Sequence, residues 1–280
     1  MKLKIVTKPF FGKAFERINQ AFYKYKPDWV TFVDKDEDAT IVHVVGGEEI
    51  EPASKDNVII IQHCYFTTAY DKWDELWEKA LLTISFHDLT KYTDKEFNFL
   101  RTPWGADEDI FFRIKNKEKV PKTLFTTGHV KETECHEEIY RACVETGTIM
   151  FHTGADYKFP NRHIYRHLDY MSNTYYNNLL NTCTFTAGLR VLEGFEMHCV
   201  EGLFTETIPI VFDLPTYSYY KNFGIFIDPN IDVVNQLVRV LSDYNLPKIS
   251  FEKAREKFNW KVIMKNIYNS IGEAYGNKRS

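Results

Sequence analysis

Two glutamates, Glu193 and Glu201, flank a short segment that contains Gly194 and Phe195. These two glutamates differ in direction by about 80° around an α-helix, so both carboxylates cannot share one helical face. We therefore expect Glu193 in a loop after a strand and Glu201 in the second turn of the next helix. Backbone N–H groups at the start of a helix bind anions, and Gly194 allows close approach to the backbone. Carboxylates beside a bound pyrophosphate would accept hydrogen bonds from the hydroxyls of a sugar and a ribose.

The elements around these glutamates alternate between short runs rich in β-branched residues and segments with helical periodicity. This alternation predicts an α/β protein with parallel strands and crossover helices. A polar, basic stretch at 113–122 interrupts it, which predicts two α/β units joined near 115–121. The predicted strands are 2–7, 29–34, 39–45, 57–63, 123–128, 148–154, 183–188 and 207–213, and the predicted helices are 14–25, 72–82, 136–146, 173–182 and 196–204.

Composition excludes several classes of protein. A formal net charge of -4 over 280 residues argues against a protein that coats nucleic acid through its overall charge. The five cysteines are odd in number and never form CxxC, so neither a disulfide framework nor a structural zinc site is predicted. Glycine-rich phosphate loops of the GxGxxG and GxxxxGK[ST] types do not occur in the sequence, which argues against an ordinary dehydrogenase or P-loop enzyme.

Localisation follows from the same sequence. Neither a signal-peptide core nor a run long enough to span a membrane occurs, so we expect a cytoplasmic protein that meets a membrane, if at all, from one side. His163 and His167 have a spacing that could hold zinc in a helix, but no third ligand is evident. We expect a surface helix there and predict no metal site.

The N-terminal residues 1–26 are basic and aromatic. They contain six lysines and Arg17 against one acidic residue, Glu16, with phenylalanines and tyrosines interleaved. We expect a strand and a helix that pack their apolar side and keep their lysines in solvent. The alternative is a surface that attracts an anionic acceptor, such as a lipid phosphate, an acidic glycan or DNA.

Five segments, in order along the chain, resemble the retaining GT-B glycosyltransferases with a Glu-x7-Glu motif, a group that includes many mannosyl- and glucosyltransferases. The resemblance is specific from about residue 100 to residue 275. The segments are TPWGADEDIFF (102–112), LFTTGHVK (124–131), EGFEMHCVE (193–201) with IPIVFD after it, FGIFIDPN (223–230) and KAREKFNWKVIMKNIYNSI (253–271).

The resemblance implies the GT-B fold, in which two Rossmann-like domains face each other across a cleft. It implies an acceptor-side domain at 1–115 and a nucleotide-sugar domain at 116–255. A C-terminal helix at 256–280 would return to the first domain.

The resemblance also implies roles for the residues that match the motifs. Glu201 would bind the ribose hydroxyls and Glu193 the hydroxyls of the transferred sugar, with the amides of Gly194 and Phe195 at the sugar or the phosphates. His63 resembles a histidine that faces the donor sugar. The other matches are Lys131 as a cation beside the diphosphate, Arg190 as a replacement for the arginine that His129 displaces, and Gly12 as the remnant of a glycine loop near the acceptor.

The sequence departs from the motif at three positions. Glu196 stands where the second glycine of Glu-Gly-Phe-Gly is usual, His129 where an arginine is usual, and Trp104 where an asparagine is usual. These departures fall on the groups that would neutralise phosphate.

The implied reaction is transfer of a hexose with retention, in which the leaving diphosphate helps to deprotonate the acceptor and cations stabilise it. We expect no protein nucleophile, no cofactor besides the donor and no need for a divalent metal. GDP-mannose is the first expected donor and UDP-glucose the second; the expected acceptor is a glycan, glycoprotein or lipid-linked hydroxyl, and a homodimer is compatible with the sequence. Alternatives are a viral or phage glucosyltransferase acting on DNA bases, a nucleotide-sugar 2-epimerase, and a nucleotide-sugar-binding module without catalysis.

Overall fold

The structure is a computed structural model of the 280-residue chain. It divides into two compact units, one of Met1–Trp104 with Trp260–Ser280 and one of Gly105–Asn259. The residues that it describes are 1–7, 12–34, 39–45, 58–62, 70–129, 133–169, 171–191, 195–243 and 246–279.

The first unit is built on a sheet of parallel strands in the order β2-β1-β3-β4-β5-β6. Strands β4 and β5 are buried along their whole length, as expected for a parallel sheet covered on both faces. The described elements are β1 (Lys2–Thr7), α1 (Gly12–Lys24), β2 (Thr31–Phe32), β3 (Thr40–Val45), β4 (Val58–Gln62), α2 (Tyr70–Lys79), β5 (Leu82–Ser85), β6 (Phe99–Arg101) and the C-terminal helix α8 (Trp260–Arg279).

The C-terminal helix α8 completes the core of this first unit. The hydroxyl of Tyr268 donates a buried hydrogen bond of 2.6 Å to the backbone oxygen of Phe22 on α1. The two rings meet edge to face with their centroids 5.7 Å apart. Helix α8 therefore packs on α1, which lies at the other end of the sequence.

The second unit contains another sheet of parallel strands, in the order β12-β11-β10-β7-β8-β9. Numbered from its own first strand, this order is 3-2-1-4-5-6 read from the β9 edge, the arrangement of dinucleotide-binding sheets. The described elements are β7 (Val120–Gly128), α3 (His136–Thr146), β8 (Ile149–Gly154), β9 (Tyr165–Leu168), α4 (Asn173–Thr182), β10 (Cys183–Gly188), α5 (Met197–Phe204), β11 (Ile208–Phe212), β12 (Ile225–Ile227), α6 (Val233–Ser242) and α7 (Phe251–Phe258).

Local signals set the ends of several helices in the second unit. Ser172 and Asp232 cap α4 and α6 by accepting hydrogen bonds from backbone N–H groups. Helix α3 ends at Gly147, whose φ of 68° is in the left-handed region that glycine adopts without strain. These caps bond backbone groups that have no partner within the helix.

Two buried asparagines of α4 bind the segment before β7 to the second unit: Asn177 accepts from the backbone N–H of Phe112 at 3.2 Å, and the other is Asn181. Its Oδ1 accepts from the backbone N–H of Ile114 at 2.8 Å, and its Nδ2 donates to the carbonyl of Phe112 at 2.9 Å. The two units divide at 104/105 and 259/260. Sequence composition and motifs put the domain boundaries near 115 and 256. The change in composition shows where the chain becomes polar, but the segment before it already bonds to the second unit.

The predicted α/β fold with parallel strands is confirmed, and two of its details are corrected. The predicted helix at 72–82 ends at Lys79, and β5 begins at Leu82. The surface helix predicted for His163 and His167 is wrong, because His167 lies on β9, opposite His152 of β8. The ring of Tyr165 is buried there, which favours strand pairing over a solvated helix.

None of the described helices is both long and apolar enough to cross a membrane.

Candidate functional site

The carboxyl ends of β7 and β10 meet at the point where the strand order of the second sheet reverses. These strands are parallel neighbours, with Thr126 opposite Ala187, and they end at Gly128 and Gly188. Parallel α/β sheets bind ligands in the crevice outside such a switch point, because the crossovers leave on opposite faces there. The end of these two strands is therefore the candidate site of the second unit.

Four of the sequence-predicted residues follow these strands. His129 comes directly after β7 and is exposed, and Arg190 comes two residues after β10 and is partly buried. Phe195 is buried just before α5. Glu201 lies in the second turn of α5, as expected from its spacing, and is 2% exposed.

The other predicted residues are not brought to this site by described parts of the chain. His63, Lys131, Glu193 and Gly194 lie outside the described residues. Gly12 is the first residue of α1, in the first unit.

Arg190 lies between two buried carboxylates that sequence motifs did not assign to the site. Its Nη2 forms a short ion pair with Oε1 of Glu134, and its Nε lies 3.3 Å from Oε1 of Glu196. Glu134 precedes α3 and Glu196 precedes α5, so each crossover that leaves the switch point contributes one carboxylate. An arginine can contact two carboxylates at once because its guanidinium presents five N–H groups.

Each of these glutamates also contacts a histidine two residues further along the chain. Oε2 of Glu134 lies 3.0 Å from Nε2 of His136, and Oε2 of Glu196 lies 3.4 Å from Nδ1 of His198. The sequence therefore contains the same Glu-x-His spacing at the start of both crossovers. That repetition is the signal that could have identified Glu134.

The hydrogen bonds of His198 fix one of its two ring protons. Its Nε2 lies 2.9 Å from the carbonyl oxygen of Ala187, which can only accept, so Nε2 carries a proton. Burial lowers the pKa of His198, while the carboxylate of Glu196 acts in the opposite direction. The neutral ring thus turns an unprotonated Nδ1 towards Glu196, with the Thr127 hydroxyl 3.3 Å away.

The strand-end glycines make room for the two carboxylates. A Cβ atom on Gly128 would overlap the carboxylate of Glu134, and one on Gly188 would overlap the side chain of Glu196. Glycine at these positions leaves space beside the strand ends, and the two glutamate side chains fill it.

Two buried tyrosines hold the loop after β10 in place. The hydroxyl of Tyr217 donates to the backbone oxygen of Arg190 at 3.2 Å and lies 3.4 Å from Oε1 of Glu196. The hydroxyl of Tyr220 donates to the backbone oxygen of Glu196 at 2.8 Å. Burial raises the pKa of both phenols, so both remain neutral donors.

Within the described ranges, no three His, Cys, Asp or Glu side chains form a group that could hold a metal ion. The carboxylate oxygens of Glu134 and Glu196, which a cation would need as ligands, contact Arg190 and the two histidines instead.

Comparison with known proteins gives structural matches only. Neither a protein-family model nor a curated protein sequence matches the chain. The solved structure of HepE from Anabaena, in complex with UDP and glucose, has a TM-score of 0.73 at 9% identity over 97% of this chain and 99% of that one. AviGT4, a glycosyltransferase involved in avilamycin A biosynthesis, has a TM-score of 0.69 at 10% identity over 99% and 98%. This chain has the GT-B fold.

A third match is a protein much longer than this chain. The pneumococcal O-GlcNAc transferase GtfA, in complex with UDP and GlcNAc, has a TM-score of 0.61 at 15% identity, over 85% of this chain and 53% of GtfA. The chain thus spans about half of that protein. At these identities the likeness establishes the GT-B fold and leaves activity to be argued from the site.

Proposed function

We propose that this chain is a glycosyltransferase that transfers a hexose from a nucleotide-diphosphate sugar to an acceptor hydroxyl, with retention of configuration. The observation that carries the proposal is an arginine, Arg190, at the switch point of a dinucleotide-type sheet in a GT-B chain. A guanidinium at the carboxyl ends of parallel strands suits a diphosphate, because it can donate two parallel hydrogen bonds to phosphate oxygens.

In this proposal the negative charge that develops on the leaving diphosphate is stabilised by Arg190. Preorganised electrostatic stabilisation of this kind is usually the largest single contribution to catalysis. His129, exposed after β7, and Lys131 supply further donors. The amides of Gly194 and Phe195 complete the contacts to the sugar or the phosphates.

The sugar and ribose contacts are assigned to carboxylates and one histidine. Glu201 would accept from the ribose hydroxyls and Glu193 from the hydroxyls of the transferred sugar, and His63 is assigned to the same sugar. Gly12 belongs to the acceptor side in this assignment. Because no protein nucleophile takes part, the acceptor hydroxyl transfers its proton towards the departing diphosphate.

The donor is tested by calorimetric titration with a panel headed by GDP-mannose, UDP-glucose and UDP-GlcNAc. UDP-sugars are included because HepE was solved with UDP and glucose and GtfA with UDP and GlcNAc. One donor should bind in the micromolar range and release free sugar slowly in the absence of acceptor. Failure of every nucleotide-sugar to bind would overturn the proposal.

A pair of matched variants tests the ribose contact. Glu201→Gln removes the charge but keeps the shape, and should weaken donor binding about 10- to 100-fold, the value of a hydrogen bond to a charged group. Glu206→Gln is the control. Glu206 precedes β11 and pairs with Arg113 and Arg255, so it lies at the amino-terminal end of the strands, away from the candidate site. Equal binding by both variants would remove Glu201 from the site.

Two further points of the proposal have their own measurements. We propose that transfer needs no divalent metal, so activity should persist in a chelator, and a strict metal requirement would contradict this. Retention is read directly from the anomeric configuration of the product by NMR.

The acceptor is proposed to be a glycan, glycoprotein or lipid-linked hydroxyl met in the cytoplasm or at a membrane surface. The buried side chains of α1 include Phe15, Ile18 and Phe22, which supports a packed first helix with solvated lysines. Vesicle binding at low salt would support the alternative, a basic acceptor surface at residues 1–26. Light scattering tests the proposed homodimer.

A second candidate is a nucleotide-sugar-binding module without turnover. The observation that favours it is the pairing of Arg190 with both Glu134 and Glu196, which compensates the charge that catalysis would use. Turnover separates the two candidates, because both require donor binding. Tight binding with no product from any acceptor in a glycan and lipid panel would favour the module.

A further inference from the structure

The charges around Arg190 do not balance. One guanidinium pairs with two buried carboxylates, Glu134 and Glu196, so these three groups carry a net charge of -1. Burial lowers the pKa of His198, so its neutral ring leaves that charge unchanged. A diphosphate that approached this cluster would meet an excess of negative charge in a poorly solvated place.

The two carboxylates also occupy the position and the bonding partners that an anion would use. Their side chains fill the space beside Gly128 and Gly188, at the ends of the strands that flank the switch point. They contact Arg190 through the N–H groups that bind phosphate in the same planar geometry. Carboxylate and phosphate are therefore alternatives at this arginine.

We propose that Glu134 and Glu196 compete internally with the diphosphate for Arg190, and that donor binding is coupled to uptake of one proton by the Glu196–His198 pair. This inference rests on the proposed function. Arg190 exchanges a carboxylate oxygen of Glu196 for a phosphate oxygen, and a proton from the buffer binds Nδ1 of His198. No covalent bond changes.

The geometry of the pair explains why the proton goes there. Nδ1 of His198 already lies 3.4 Å from Oε2 of Glu196, so protonation creates a charge-assisted hydrogen bond without moving the ring. Its Nε2 keeps its bond to the carbonyl of Ala187. The protonated pair is neutral overall, which removes the repulsion between Glu196 and the bound phosphate.

The neighbouring groups leave few other places for this proton. Burial raises the pKa of Cys199, Tyr217 and Tyr220, so these three stay neutral before and after binding. The second carboxylate oxygen of Glu134 lies 3.0 Å from Nε2 of His136. The charged or titratable side chains that face Glu196 among the described residues are Arg190, Glu134, His198, Cys199, Tyr217 and Tyr220.

The test is calorimetry of UDP-glucose and GDP-mannose binding at pH 7 in PIPES, imidazole and Tris, whose ionisation enthalpies differ. Nucleotide-sugars are the probes because their phosphates are diesters, which do not titrate near neutral pH. The dependence of the binding enthalpy on the buffer gives the number of protons exchanged. We expect uptake of about one proton per donor bound.

The variant Glu196→Gln removes the competing charge and keeps the side-chain volume. It should bind donor about tenfold more tightly than the wild type, and its proton uptake should fall. Glu206→Gln should match the wild type in both measurements, because Glu206 pairs with two arginines at the amino-terminal end of the strands.

The outcomes are separable from those of the proposed function. Donor binding with no proton uptake and with Glu196→Gln equal to the wild type would overturn this inference and leave the glycosyltransferase proposal standing. Binding that tightens with Mg²⁺ in place of proton uptake would overturn it as well, since a metal would then compensate the charge. If no nucleotide-sugar of the panel, UDP-GlcNAc included, binds the wild type, both proposals fail. The wild-type buffer series needs no variant, so a Glu196→Gln protein that does not fold leaves the inference testable.

Discussion

Arg190→Met should destabilise the second unit by about 3 kcal/mol. Methionine keeps much of the aliphatic volume but leaves the buried carboxylates of Glu134 and Glu196 without their cation. Breaking a buried ion pair from one side typically costs 3–5 kcal/mol, and the Arg190 side chain is 30% exposed, which puts the expected loss at about the lower end of that range.

A second arginine provides the matched control. Arg255 lies 3.6 Å from Glu206, with the two side chains 35% and 37% exposed. Exposed pairs contribute little because solvent screens them, so Arg255→Met should cost no more than about 1 kcal/mol. The double variant Arg190→Met/Glu196→Gln should regain about 1–2 kcal/mol relative to Arg190→Met, since one uncompensated charge is removed.

The assay must separate the two units, and the tryptophans make this possible. All five tryptophans lie in the first unit, so their fluorescence follows that unit in urea. Hydrogen exchange of the β7 and β10 amides reports the second unit, and circular dichroism reports both units together. A loss for Arg190→Met as small as that for Arg255→Met would refute the account of Arg190 as the cation of a buried cluster.

Three other predictions concern the packing that supports the site. Asn181→Ala should cost about 2 kcal/mol in the second unit, because the backbone N–H of Ile114 loses its partner; a loss as small as that of an exposed Asn235→Ala would contradict this. Tyr268→Phe should cost about 1 kcal/mol in the tryptophan-monitored transition, since it removes the 2.6 Å bond to Phe22. Burial, assisted by Arg101, lowers the pKa of His87 to about 4. Because this pKa is lowered, the neutral form of His87 contributes its full stabilisation above the unfolded pKa near 6.5. The free energy of unfolding should fall by about 3 kcal/mol as pH falls towards 4. His87→Gln should make the free energy of unfolding less dependent on pH in urea titrations between pH 7 and 4, and an unchanged pH dependence would contradict this.

Much of the fold follows from local patterns in the sequence. Strands β4 and β11 are buried runs dominated by apolar and β-branched residues, and β10 and the part of β7 from Thr123 onwards are rich in the same residue types, so their positions were predictable. Strand β9 was not, because four residues with two polar side chains carry no periodic signal. Its conformation comes from pairing with β8, which is a tertiary contact.

The candidate site was predictable in part for the same reason. The spacing of Glu201 from the preceding strand was enough to put it in the second turn of α5. Glu134 and Arg190 are 56 residues apart and meet only because β7 and β10 are neighbours in the sheet. No local pattern encodes such a pair, although the repeated Glu-x-His spacing at both crossovers hints at a common environment.

The packing of α8 on α1 affects the order in which the chain can fold during synthesis. The second unit is continuous, from Gly105 to Asn259, and all of its strands have been made before α8 leaves the ribosome. Residues 1–104 of the first unit are made before the second unit, but until α8 has been made they lack the helix whose Tyr268 contacts Phe22 and Trp29. Until α8 is made, the N-terminal part of the first unit therefore exposes one apolar side to solvent. A chaperone would be expected to bind this segment of the nascent chain.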